Sequence, residues 1–344
     1  MKTMIRVKML VIGGIFSLAT WGVLSSGDLA AYVQSLDSNP GTAYRHIEAS
    51  EEFETDSKTA SIKPDEEQLH LAIQEEAAKR REAPIDAKID RVWKAIPGYN
   101  GIEVNVEETM RLAMQRGTDT GIPFVYKEVA PSVRLEDLGA EPIYKGNPHK
   151  PMAALMINVA WGNEFLPPML SVLEKEGVRA TFFFDGSWLS KNIDTAKMIQ
   201  EKGHELSNHA YSHKNMSGLG REETIKEIER TQTLLKEKLG VDNTLFAPPS
   251  GDFSSLTVKV AHELKLKTIL WTVDTVDWKK PAPEAIVRKI ATRVEPGSMI
   301  LMHPTESSSG ALEDMIRVIK EKGLVLGTVS ELISPNRVPK VETE

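Results

Sequence analysis

Short apolar runs recur along the second half of the chain, at 153–159, 179–184, 204–208, 244–247, 267–273, 298–303 and 324–328. Each has the length of a strand, and most gaps between them hold a segment of helical period. Arg221 to Leu239 sets Ile225, Ile228, Leu235 and Leu239 on one stripe, with Gly240 just beyond as a stop. Ala311 to Lys322 does the same with Leu312, Met315, Ile316 and Ile319 before Gly323. Strands alternating with helices predict parallel βαβ units. Unbroken apolar runs such as TFFF and TILWTV predict a sheet buried on both faces. Seven such units fit a partly open barrel or an open doubly wound sheet, and the pattern does not choose between them.

Ahead of these units the pattern is less regular. Residues 85–145 read as a small α/β domain. A helix is predicted over 85–95 from Ile89, Val92 and Trp93, and the turn Pro97-Gly98-Tyr99-Asn100-Gly101 ends it. A strand at 102–106, a helix over 107–116 stopped by Gly117, and a strand at 124–129 follow. Residues 27–84 read as a polar linker ending in a charged helical stretch, 66–82. At the N-terminus Lys2, Arg6 and Lys8 precede an apolar run from Met9 to Leu24, then Ser25, Ser26 and Gly27. A basic start, an apolar middle and small residues are the order of a signal peptide. The run is slightly shorter than the about 20 residues of a full span. Residues 1–26 are therefore a cleaved signal peptide or a membrane anchor. Either reading exports the rest of the chain to the cell envelope or beyond, with the membrane a partner if the segment stays uncleaved.

Composition narrows the chemistry. The 344 residues are 41% hydrophobic and 26% charged, as in an ordinary globular protein. A net charge of -7 argues against a nucleic-acid partner. The absence of cysteine removes disulfides, thiolate catalysis and Cys-ligated zinc together.

The candidate chemistry clusters just after the predicted strands. His209 and His213 follow the third, Ser250 the fourth, and Asp274, Asp277 and Trp278 the fifth; His303 ends the sixth. In a parallel barrel these ends converge on one face, where active sites lie. The four-residue spacing of His209 and His213 would bring both imidazoles to one side of a helical turn, as a divalent metal requires. Ala210 in place of Glu rules out the H-E-x-x-H protease pattern.

Four of these segments carry a family resemblance. GHELSNHAYSH, FAPPSG, WTVDTVDW and ILMH, in this order over residues 150–330, resemble the motifs of the polysaccharide deacetylases, the NodB-homology or carbohydrate esterase 4 group. Domain bounds of 150–334 follow for this part. DRVWKAIPGYNG and KPMAALMINVAWGNE extend the likeness to sporulation-associated members of the family. The resemblance implies a distorted, partly open (β/α) barrel of about seven parallel strands behind a small N-terminal α/β domain. It implies a hydrolase that removes N-acetyl groups from peptidoglycan or a related glycan. His209 and His213 would be zinc ligands and His303 the general acid. Asp274 would orient His303. Trp278 and Leu301 would wall the groove and the acetyl pocket, and the Ser250 backbone would help hold the oxyanion.

The same resemblance fails at the first motif, Thr-Phe-Asp-Asp-Gly. Here it reads Asn158-Val159-Ala160-Trp161-Gly162. The catalytic base falls on Ala160, the third metal ligand on Trp161, and the arginine that steers the base on Ala247. These losses are coherent, because an arginine left buried without its carboxylate is a costly unpaired charge. A catalytic zinc normally has three protein ligands, so two histidines hold it weakly. Loss of a general base costs about 10²–10⁴ in rate.

Two functions compete on this reading: a deacetylase with substitute ligands, and a catalytically inactive descendant that binds glycan or an envelope partner in the old groove. A glycosidase would need two facing carboxylates. Several residues have plainer readings. Glu164 is a substitute carboxylate or a helix-start acid. His204 is core-side, His262 surface, and Asp185 a turn residue beside Gly186. His303 is a catalytic or a satisfied buried histidine, and Trp161 a filler of the vacated cavity.

Overall fold

The computed structural model describes residues 65–118 and 121–338. The signal or anchor expected over 1–26, and the linker up to residue 64, lie outside the described residues. Among the described residues no helix is long and apolar enough to cross a membrane.

The N-terminal part opens with α1 (Glu66–Lys79), followed by β1 (Lys88–Asp90), β2 (Lys94–Ile96), β3 (Gly101–Val104), α2 (Val106–Arg116) and β4 (Tyr126–Val129). The β3–β4 pair is antiparallel. Helix α1 packs into this unit through Leu69 and Ile73, which meet Val104 and Ala113. The charged stretch thus buries one apolar stripe and is not a free extension of the linker. The helix expected over 85–95 is instead an antiparallel β1–β2 pair. Asp90 decides this locally: its Oδ1 accepts from the backbone N–H of Val92 (2.7 Å) and Trp93 (2.8 Å). That is a turn built by an aspartate side chain, and it outcompetes the helix. Ile89 and Val92 are left exposed.

The barrel comprises β5 (Met152–Val159), α3 (Leu166–Lys175), β6 (Thr181–Phe184), the short α4 (Gly186–Leu189), α5 (Ile193–Glu201), β7 (Glu205–Asn208), α6 (Arg221–Leu239), β8 (Leu245–Phe246), α7 (Ser255–Glu263), β9 (Lys267–Thr268), β10 (Val273–Asp274), α8 (Pro283–Arg293), β11 (Met299–Met302), α9 (Glu306–Glu321), β12 (Val325–Gly327) and α10 (Val329–Ile333). Seven strands pair in the order β10-β11-β5-β6-β7-β8-β9, all parallel, and β12 pairs beside the start of β5. The run expected as one strand over 267–273 divides into β9 and β10, the two ends of that order. Between them Leu270 N–H bonds to Ile143 O and Thr272 N–H to Met299 O. One segment therefore serves both edges of the sheet, which curls into a partly open barrel.

Alternation along β5 shows the two buried faces. Ala153, Leu155, Ile157 and Val159 pack under the helices. Ala154 and Met156 point inward with Phe183, Ala247, Ile269 and Leu301. Leu332 and Ile333 of α10 join this inner cluster. They sit where strands begin, since Val329 N–H bonds to Thr181 Oγ1. The opposite end, where strands finish, remains for polar side chains. Helix α9 starts at Glu306, before the predicted 311, because Thr305 caps it through the Ser308 N–H (3.2 Å).

Candidate functional site

The histidine pair sits in a bent loop after β7, not on a helical turn. Ala210 and His213 both have left-handed backbones, φ 59 and 54. Such backbones are strained for residues with a Cβ and persist only when surroundings enforce them. Helix α6 supplies the enforcement. Buried Glu227 accepts from the N–H groups of Tyr211 (3.2 Å) and Ser212 (2.8 Å) and from Ser212 Oγ (2.7 Å). Thr231 Oγ1 donates to Ala210 O at 2.6 Å. Asn208 bridges both sides, accepting from Ala210 N–H (2.9 Å) and donating to Ile228 O (2.9 Å).

The clamp brings the two imidazoles to 5.2 Å between ring centres, at 72°. His209 is 1% exposed. Its Nδ1 lies 2.8 Å from Ala247 O. A carbonyl can only accept, so Nδ1 carries the proton and Nε2 keeps its lone pair. Burial, with His213 adding to it, pushes the imidazole down to about 3, so it stays neutral. A neutral ring with its far nitrogen anchored is the form in which histidine ligates a metal.

Opposite it stands His303, just beyond β11. Its Nδ1 is 2.8 Å from Asp277 Oδ1, and its backbone N–H donates to Asp277 Oδ2 at 2.6 Å. Ser308 Oγ also donates to Asp277. Asp277 is fully buried. Burial alone would raise its pKa, but the bonds from His303 and Ser308 together hold it below the usual carboxylate range. The carboxylate that orients His303 is therefore Asp277. Asp274, given that place by the resemblance, bonds instead to the Val276 N–H at 2.7 Å. Asp274 faces Leu301 in the β10–β11 register, and the turn at Val276 (φ 57) carries the chain round to Asp277.

The third side of the site is apolar. Ala247 is fully buried among the inward residues. Trp161 stacks on His303, with ring centres 5.4 Å apart and planes 14° apart, and meets His213 edge-on at 6.4 Å. It remains 45% exposed, so it lies over the histidines and is not a plug in a sealed cavity. Gly162 sets this loop, because a Cβ there would come within 2.0 Å of Pro304 O and its φ is +80. Asn163 then accepts from Trp188 Nε1 at 2.6 Å.

These donors do not complete a zinc site. His209 and His213 suit a metal, but no group of three or more histidine, aspartate or glutamate side chains among the described residues could hold one. Glu164 is exposed in a short turn before α3 and supplies no third ligand. No hydrolytic step through a metal follows from this arrangement.

Other sequence candidates fall as follows. Ser250 is exposed with φ 57, and Leu301 is 4% exposed on the inner face. Trp278 is 55% exposed, with Lys279 Nζ 4.9 Å from its ring centre. Asp185 caps α4 through the Trp188 N–H (2.9 Å), while its buried Oδ2 has no partner. His204 lies before β7, accepts from Ala180 N–H at 3.2 Å, and is pushed down to about 4, chiefly by burial. His262 is exposed on α7. A cleft of about 1260 Å³ lies where strands begin, lined by Tyr99, Pro151, Val178, Leu324 and Arg337. Its cations are matched internally, as in Arg337 with Glu82 and Lys320 with Glu176. None of His209, His213 and His303 lines it.

Sequence reasoning missed Glu227 and Ser308. Both sit on helices whose apolar stripes dominate the pattern, so nothing local singles them out. The one usable signal is a carboxylate on the apolar side of α6, adjacent to Ile228.

Comparison with known proteins extends this picture. The family model for polysaccharide deacetylase matches residues 145–269. YlxY of Bacillus subtilis, described as uncharacterized, is 44% identical over 282 residues, covering 82% of this chain and 88% of that protein. A peptidoglycan-N-acetylglucosamine deacetylase of Bacillus cereus is 31% identical over 202 residues, covering 57% of this chain and 74% of that one. The crystal structure of a CE4 family pseudoenzyme from Bacillus anthracis shares 42% identity and a TM-score of 0.72, over 78% of this chain and 96% of that one. A mutant of that pseudoenzyme, described as having restored enzymatic activity, matches with 41% identity, 78% and 99% coverage and the same TM-score.

Proposed function

Because the chain belongs to the polysaccharide deacetylase family, we propose that it binds an N-acetylated glycan of the cell wall without hydrolysing it. Peptidoglycan is the favoured ligand, given the peptidoglycan deacetylases among its relatives. One observation carries the reading. The two carboxylate positions of the first motif are Ala160 and Trp161, and Trp161 lies stacked on His303 and against His213. A base is absent where a water would be activated, and an indole stands where a metal ligand would. In this reading His303, oriented by Asp277, contributes hydrogen bonding to the acetamide, and Trp278, Leu301 and the Ser250 backbone line the groove. Export through residues 1–26, to an envelope or extracellular site, is part of the same proposal, as is a role in sporulation.

A second reading, hydrolysis with substitute ligands, draws on one fact. His209 presents an anchored, neutral imidazole of the kind a metal takes, and the His303–Asp277 pair is intact. Metal analysis of the full-length chain, with acetate release from N-acetylglucosamine oligomers and peptidoglycan, separates the two. The binding reading expects no stoichiometric zinc, no acetate and retention on peptidoglycan. Stoichiometric zinc with acetate release abolished by His209→Ala would overturn it.

A further inference from the structure

We infer that Trp161 is a sugar-stacking residue, the second half of an aromatic platform with Trp278; this rests on the glycan-binding reading above. Three observations support it.

The first is exposure. Among the described residues of the barrel, Trp161 and Trp278 are the large hydrophobic side chains left open to solvent, at 45% and 55%. Had Trp161 simply refilled the space of a lost carboxylate and its metal, its ring would be buried, as the neighbouring Trp188 is at 6%.

The second is placement. The sheet order runs β10-β11-β5. Trp278 follows β10, His303 follows β11 and Trp161 follows β5. The two indoles thus stand on loops to either side of the strand that ends at His303. A glycan chain laid across these strand ends would pass a loop bearing an indole on each side of β11.

The third is preorganisation. One face of Trp161 is taken by His303 at 5.4 Å and 14°, and its side is braced by His213. Its loop is fixed by Gly162 against Pro304 and by the Asn163–Trp188 hydrogen bond. Holding the ring beforehand removes the ordering cost that would otherwise offset binding. The apolar C–H face of a pyranose laid flat on an indole gains dispersion across many atom pairs, and the negative ring face attracts the polarised C–H groups. No charge or metal is needed for this contact, so a substitution that removes a metal ligand adds a sugar contact.

The test uses the full-length chain and an N-acetylglucosamine tetramer, with affinity read by calorimetry in the presence and absence of a chelator. Expected are binding indifferent to the chelator, a loss of about tenfold in Trp161→Ala, roughly 1.4 kcal/mol, and affinity within about threefold of the parent in Trp161→Phe, which keeps a flat aromatic face. Unchanged affinity in Trp161→Ala, with loss in Trp278→Ala, would overturn the platform and leave the glycan reading standing. Equal loss in Trp161→Phe and Trp161→Ala would also overturn it. A parent chain that binds neither the tetramer nor peptidoglycan would remove the glycan reading, and the platform with it.

Discussion

The two sides of the site differ in how their residues are tied to the fold. On one side His209 bonds to the Ala247 carbonyl and His303 to Asp277, and Asp277 also takes the His303 backbone N–H and Ser308. On the other side Ala160, Trp161 and Ala247 carry no ionisable group. His209, His303 and Asp277 have structural partners, so removing one of them strands a buried polar group: the Ala247 carbonyl for His209, and the Asp277 carboxylate or its donors for the other two. The ionic residues that the family places on the other side serve one another and the metal. Removing them together leaves no orphan, since a carboxylate and its steering arginine disappear as a pair. The ionisable groups are missing on the side where the fold does not depend on them.

The strongest way to break the contrast is to rebuild the apolar side. The triple variant Ala160→Asp, Trp161→Asp, Ala247→Arg restores a base, a third ligand and a steering cation. It should bind zinc and raise acetate release from N-acetylglucosamine oligomers by about 10²-fold or more over the parent. A triple variant that loads zinc yet releases no acetate would show that the retained side has also decayed.

Next in size is the removal of a retained group. Asp277→Ala removes a fully buried carboxylate and leaves its three donors unpaired, which should cost about 3–5 kcal/mol, read as a lower midpoint in denaturant. The acetate assay would not be needed. A cost under about 1 kcal/mol would mean that Asp277 is not part of the supporting structure.

The smallest expected effect sharpens the contrast through pH. His209 and His204 are held neutral, at about 3 and about 4, against an ordinary value of 6.5. Below 6.5 the unfolded chain takes up protons that the folded chain refuses, so stability is fully present above 6.5 and falls as pH drops towards 3. Thermal melting between pH 7 and 5 should show this loss, and His209→Asn should reduce it without abolishing it, because His204 at the other end of the barrel contributes separately. Asp277, depressed below the usual carboxylate range, adds its loss only at lower pH.

Much of this was legible beforehand. The continuous apolar runs located the strands because a strand buried on both faces has no polar alternation to hide it. The bounds of helix α6 are legible at both ends, since its stripe and Gly240 are local signals. Three things were not legible. Asp90 turned an apparent helix into a strand pair through two hydrogen bonds that periodicity does not register. The run 267–273 held two strands because its neighbours, Phe246 and Met299, come from distant segments. Asp274 and Asp277 are interchangeable on paper, and only the turn at Val276 decides which of them reaches His303.

By itself the sequence determined the alternating architecture, the family and the identity of the missing groups, because each is written in residue type and local spacing. The tertiary structure alone decided what the remaining groups do: Glu227 bending the histidine loop, Asp277 seating His303, and Trp161 lying half-exposed over both histidines. Each of those depends on which side chains the barrel brings together across wide gaps in the chain. That is a matter of closure and packing in three dimensions, to which local pattern carries no guide.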